Sequence, residues 1–285
     1  MWWKIILLLV LILIIPWVVI YIWGNQRWKA ETQTIRKNLQ AVQRPMPATY
    51  FDSADTADLP PVVQRYFNTV LEKGKPMIKR VQVRHRGTFN MGQTKDNWKP
   101  FSSDQVVITQ RPGFDWNGTV QMAPGLPVYV HDAFIAGEGM LHASLFGLFT
   151  VMFLQDASEI ARGELMRFFA EATWYPTALL PDQGIQWQAV DDHAARATLT
   201  DGSITLTMTF AFNQQGLIEM VRAEDRGRAI GEQIVPTPWQ GRFWNYQKRS
   251  GMLVPMDGEV AWLLPEGEKP YWRGHIEQIE YEFYR

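Results

Sequence analysis

Hydrophobic and polar positions change their period three times along the chain. Residues 5–23 carry no charge. As a helix they would span about 28 Å at roughly 1.5 Å per residue, close to the hydrocarbon thickness of a bilayer. Residues 25–42 are polar and rich in helix formers, which predicts a juxtamembrane helix or stalk, and the segment from Arg44-Pro45-Met46-Pro47 to 58 reads as a linker. A short helix is expected over 61–71, with Asp58 as N-cap, prolines in the first turn and Gly74 to stop it. Its apolar face, Val62, Val63, Tyr66, Phe67 and Val70, would pack on the end of a domain.

From Ile78 the period becomes two. Val81, Val83, His85, Gly87 and Phe89 share one face, while Arg80, Gln82, Arg84 and Arg86 share the other. Strands are expected near 104–110, 114–122, 127–134 and 137–142. The apolar run 145–154 is too short to span a membrane and is expected to line a core, a cavity or a membrane-facing lip.

A helix follows over 158–174. Ile160, Ala161, Leu165, Met166, Phe168, Phe169 and Ala172 fall within an arc of roughly 160°. Glu164, Arg167 and Glu171 lie opposite, spaced to pair along a solvated face. Arg162 projects into the apolar arc, and Trp174-Tyr175-Pro176 ends the helix. Period two then resumes at 185–190, 194–200, 203–212, 217–224, 239–248, 252–263 and 271–283, with Asp201-Gly202 as a hairpin turn.

Connections this short demand antiparallel neighbours, and so wide a sheet must curl. The predicted fold is mainly β (α+β): a large curved antiparallel sheet or half-barrel wrapped around a central helix, with an N-terminal transmembrane helix. The expected organisation is an anchor over 1–24, a juxtamembrane helix and linker over 25–58, and a β domain over 59–285.

Composition narrows the partners. A net charge of −1 and a pI near 6.5 supply no basic field for nucleic acid. With no cysteine, disulfides and thiolate chemistry are excluded. A cleaved signal peptide competes with the anchor, but the apolar run exceeds a usual signal core and no small-x-small site follows it. The expected location is therefore the cell (inner) membrane, single-pass. Lys4 precedes the span while Arg27, Lys29, Arg36 and Lys37 follow it, a modest bias that leaves the side of the globular domain open.

Candidate chemistry is sparse. No G-x-S-x-G, H-E-x-x-H or P-loop occurs, and Gly137-x-Gly139 lacks the third glycine of a dinucleotide fingerprint. His131-Asp132, Glu138 and His142 suggest a metal site, yet strand alternation sends His131 and Asp132 to opposite faces. His85 reads as a core histidine. Glu164 and Glu171 are spaced for acid/base work, though a salt-bridged face with Arg167 accounts for them more simply. Arg162 needs a partner, either a structural carboxylate or an anionic ligand. Trp98, Trp116, Trp174, Trp239, Trp244, Trp262 and Trp272 exceed what one buried face can hold, and they either line an apolar cavity or cap the outside of the sheet.

Gly137-Glu138-Gly139-Met140-Leu141, Ala161-Arg162-Gly163-Glu164-Leu165, Trp174-Tyr175-Pro176-Thr177-Ala178-Leu179-Leu180-Pro181 and Pro238-Trp239-Gln240-Gly241 carry a resemblance over nearly all of 59–284. They resemble a bacterial family of membrane-anchored proteins of unknown function, which implies no activity and no catalytic residues. A looser similarity, of strand order alone, is to the half-barrels of bacterial lipoprotein-localisation carriers, which bind acyl chains between a curved sheet and helices.

Three functions are weighed. The first is membrane-tethered binding of a lipid or other apolar ligand, with Arg162, Glu164, Phe168, Trp174, Trp116 and Trp239 as the site. The second is an envelope hydrolase using Glu164, Glu171 or a histidine, and the third a structural scaffold. The expectation is a non-enzymatic protein with no catalytic residues assigned, no metal and no cofactor; its expected partners are the bilayer and a lipid or apolar small molecule, not nucleic acid.

Overall fold

The computed structural model describes residues 2–92, 95–156, 158–231 and 233–284, with the side chains of 4–17 outside the description. Three α-helices lie among them: α1 (Trp2–Ala41), α2 (Pro61–Val70) and α3 (Glu159–Glu171). Six strands precede α3: β1 (Ile78–Asn90), β2 (Trp98–Ile108), β3 (Gly113–Ala123), β4 (Leu126–Ile135), β5 (Glu138–Leu145) and β6 (Phe149–Asp156). Seven follow it: β7 (Gln186–Ala189), β8 (Ala194–Asp201), β9 (Ile204–Phe212), β10 (Ile218–Ile230), β11 (Gln233–Arg249), β12 (Met252–Leu264) and β13 (Gly267–Phe283).

All thirteen form one antiparallel sheet in the order β6-β5-β4-β3-β2-β1-β13-β12-β11-β10-β9-β8-β7. Each arm is a meander of sequence neighbours, as the short turns require, and the arms join at the centre where β1 pairs with β13. The two outer strands, β6 and β7, are the ones that flank α3 in the chain. The helix packs on β3, β4, β5 and β6 of one arm and on β9 and β10 of the other. In a flat sheet β5 and β10 would stand roughly 38 Å apart at about 4.8 Å per strand. The sheet is therefore curled, with α3 on its concave side.

Leu165, Met166, Phe168 and Phe169 of α3 are buried, as the apolar arc predicts. The charged side of the helix departs from expectation. Glu164 is buried and Arg167 and Glu171 nearly so, because that side faces the sheet and not solvent. Close approach of α3 to β5 requires Gly139, where a Cβ would sit 2.5 Å from the Ala161 backbone nitrogen. The α-helix ends at Glu171, and three 3-10 turns (Ala172–Trp174, Pro176–Leu179 and Pro181–Gln183) carry the chain on to β7.

The convex face carries the C-terminal half of α1. Trp28, Thr32, Ile35 and Leu39, spaced four, three and four residues apart, are buried against β2, β3 and β4. The polar stretch after residue 25 is thus a helix packed on the domain rather than a free stalk. Helix α2 buries the expected face, but Pro60 occupies its N-cap and Asp58 makes no cap; Asp52 caps the preceding 3-10 turn instead. Run 145–154 forms most of edge strand β6, whose apolar side chains are exposed rather than in a core. Among the described residues no helix is long and apolar enough to cross a membrane. Most of the uncharged run 5–23 falls on residues 4–17, so the anchor expectation lies largely outside the described side chains.

Candidate functional site

The concave face is filled on the α3 side but leaves a recess between the end of the helix and strands β1, β11, β12 and β13. Phe89, Trp116, Trp174, Trp239, Tyr271 and Trp272 form its walls, with Asp132, Arg167, Glu171 and Arg226 among them. Its free volume is about 90 Å³. Drug-sized ligands occupy roughly 300–1,000 Å³, so this recess accommodates one end of a molecule and not the whole of a lipid.

A compact ion network lies at one wall. Arg167 donates from Nη1 to Asp132 Oδ2 at 2.7 Å and from Nε to Glu171 Oε1 at 2.7 Å. Gln105 Nε2 donates to the other Glu171 oxygen at 2.6 Å. The guanidinium also lies 5.1 Å from the ring centres of both Phe114 and Trp116. Burial opposes its charge, yet Glu171, Asp132 and Glu164 outweigh that and hold its pKa above the ordinary arginine value. Burial, and then the neighbouring Asp132 carboxylate, push Glu164 up to about 8. Burial also raises Asp132, against the pull of Arg167. At neutral pH Glu164 therefore keeps its proton while Arg167 remains charged.

Arg226 differs from Arg167 in having no carboxylate within ion-pair distance among the described residues. Its guanidinium lies over the Trp239 ring at 5.2 Å. Nη1 of Arg226, Nε1 of Trp116 and Nε1 of Trp174 are buried donors with no hydrogen-bond partner, and all three residues line the recess. Unpaired buried donors cost roughly 1–3 kcal/mol each, more when charged. Three around one aromatic recess make a place for an acceptor.

The structure brings three of the six sequence-derived site residues, Trp116, Trp174 and Trp239, to the recess. Glu164 stands behind them, close enough to Asp132 and Arg226 to feel their charges. Phe168 is buried in the core, its ring 5.3 Å from Tyr175. Arg162 is directed away from the apolar interior: it pairs with Asp225 at 2.9 Å at the partly exposed start of α3. The structural-carboxylate alternative accounts for it.

Arg226 escaped the sequence pattern because of a β-bulge. Ala223 pairs with Trp239 but Arg226 with Thr237, so β10 carries one extra residue between them. Strict alternation from Ala223 would turn Asp225 inward; the bulge turns Arg226 inward instead. The break shows in sequence only as the charged run Glu224-Asp225-Arg226.

The histidines lie elsewhere. His85 is buried against Trp174 (4.9 Å between ring centres), bonded at Nδ1 to Ser103, and burial drives its pKa down to about 3. His131 and His142 are cross-strand neighbours on the convex face. His131 Nδ1 meets Asp115 at 2.7 Å and Nε2 meets Thr32 at 3.0 Å, while Asp115 also accepts from Arg36 at 2.9 Å. His142 pairs separately with Glu31 at 2.5 Å, and Trp28 stacks on His131. The Thr32–His131–Asp115 chain has the connectivity of a hydrolytic triad, but all three members are buried between α1 and the sheet. It is a clamp for the helix. Among the described residues no three His or carboxylate groups come together as a metal site.

No curated protein matches the chain. Among solved structures it is similar to a LolA-superfamily protein of Nitrosomonas europaea, at 11% identity and a TM-score of 0.37, over 78% of this chain and 92% of that one. At those values the likeness carries no residue-level correspondence. The decisive match is to a family model: residues 57–281 fit the family of unknown function DUF6920, and the chain belongs to that family.

Proposed function

We propose that the protein is a membrane-tethered binding protein for an amphiphile. Its aromatic recess takes the acceptor-bearing end of the ligand, a carboxylate, phosphate or ester oxygen, against Arg226 and the indole N–H groups of Trp116 and Trp174. The adjoining apolar segment lies along Phe89, Tyr271 and Trp272. One observation carries this reading: three residues that line an aromatic recess, Arg226, Trp116 and Trp174, each hold a buried donor without a partner. The uncharged run 5–23 supplies the tether. A hydrolytic role for Glu164 and Glu171 fits less well, because Glu171 is held by both Arg167 and Gln105, and Glu164 does not line the recess.

The test is native mass spectrometry of the full chain extracted from membranes in mild detergent, with titration of a doxyl-labelled fatty acid against tryptophan fluorescence. The expected result is a co-purifying amphiphile, saturable quenching by the fatty acid, and weakening of both in Arg226→Ala. A ligand-free wild-type protein whose fluorescence the fatty acid leaves unchanged refutes the reading.

A further inference from the structure

The densest run of exposed apolar side chains follows the β5–β6 turn. Phe149 (59%) and Val151 (64%) are exposed there. Met152 and Phe153 continue the exposed run along edge strand β6. Soluble proteins seldom leave so many large apolar groups together without a partner.

Helix α1 leaves the domain at this same end. Leu39 packs on Ile108 near the opposite end, Trp28 reaches Asn117 in the middle of β3, and Gly24 lies against the Phe146 carbonyl and Leu148 in the β5–β6 turn. A Cβ on Gly24 would collide with that carbonyl, so the contact is close. Beyond it Val18, Val19, Tyr21, Ile22 and Trp23 are exposed. The apolar half of α1 and the apolar rim of the sheet are thus continuous, joined at Gly24. In the first arm the recess lies toward this end too: Phe89 pairs with Trp272 in the last rung of β1 against β13.

We infer that this rim, Phe149–Phe153, rests in the interface of a lipid bilayer, so that the recess opens toward the lipid. The continuity with α1 selects a bilayer as occupant, since a helix crossing it at Gly24 would bring the rim to headgroup depth. Aromatic and aliphatic side chains on both faces of β6 suit that depth, where no single flat partner is met. The inference rests on the tethered reading for its orientation, and it gives the amphiphile a route that avoids water.

The chain has no cysteine, so single-cysteine variants of the full protein can each carry one bimane label. Phe149→Cys and Val151→Cys report the rim; Val190→Cys and Trp244→Cys, exposed apolar positions outside β6 and its turn, are controls. In phosphatidylethanolamine–phosphatidylglycerol vesicles, doxyl lipid is expected to quench the rim labels several-fold more than the controls, with aqueous iodide showing the reverse order. Rim labels as open to iodide as the controls overturn the inference. So do rim labels protected from iodide but untouched by doxyl lipid, which would mean that a second copy of the chain covers them, and so does failure of the chain to float with the vesicles. These readouts are independent of whether the recess is loaded, which the mass-spectrometric test measures separately.

Discussion

Arg226 and Asp225 are adjacent in sequence and opposite in fate: Arg226 enters the recess and stacks on Trp239, while Asp225 stays outside and pairs with Arg162. The two arginines should therefore separate cleanly in experiment. Arg226→Ala is expected to weaken amphiphile binding about 10- to 100-fold, from the roughly 1.5–3 kcal/mol of a hydrogen bond to a charged group. Arg162→Ala should leave binding unchanged and shift stability by about 1 kcal/mol or less, as for other partly exposed pairs. Fluorescence titration and denaturant unfolding of the two variants side by side check both.

Glu164 should make the protein less stable as pH rises. In the folded state it keeps its proton up to about 8, against an ordinary 4.5. Between those values the unfolded chain has lost the proton and the folded chain has not, so stability falls with rising pH across that window. Glu164→Gln removes the titration. Its melting temperature should exceed wild type at pH 8 and approach it at pH 4, a difference that differential scanning calorimetry resolves.

His85 acts at the acid end. Its folded pKa of about 3 lies below the ordinary 6.5 because burial disfavours the charged ring. The unfolded chain therefore binds the proton first, and stability is lost as pH falls from 6.5 toward 3. Replacing His85 by Phe should flatten that limb of the profile, measured by urea unfolding at pH 7 and pH 4.5.

The convex clamp predicts a large local effect. Asp115 is fully buried and serves both His131 and Arg36. Asp115→Ala leaves both without it and should cost about 3–5 kcal/mol, the usual result of removing one member of a buried charged network. Hydrogen exchange should show the loss first in residues 28–39 of α1.

Two glycines of α3 and its neighbour strand predict opposite signs. Gly139→Ala places a Cβ 2.5 Å from the Ala161 backbone and should destabilise by roughly 1–3 kcal/mol. At Gly163, within the helix, a Cβ meets nothing within 4 Å, and Gly163→Ala should stabilise by about 0.5–1 kcal/mol. Thermal unfolding of the pair checks the contrast.

The strands were legible because their side chains alternate and their turns are punctuated by glycine; Asp201-Gly202 is the clearest, with Gly202 at φ +59°. The aromatic walls at Trp116, Trp174 and Trp239 were legible because the tryptophans exceed what one buried face can hold. Three features were not. Strand β6 is apolar on both faces, so no alternation marks it as a strand. The charged side of α3 looks like a solvent face, since periodicity separates polar from apolar but cannot say that both sides are enclosed. Arg226 depends on one extra residue in β10, and a bulge leaves little trace in composition.

The seam between β1 and β13 joins segments about two hundred residues apart, and it lies at the centre of the sheet. During synthesis at about 5–20 residues per second, the first arm must wait roughly 10–40 s with its inner edge unpaired before its partner leaves the ribosome. Until then six strands present an open edge to the cytosol, the translocon or a chaperone. Any stop codon before the final strand leaves that edge permanently bare, so premature truncations of this protein should aggregate or be degraded instead of yielding a smaller working unit.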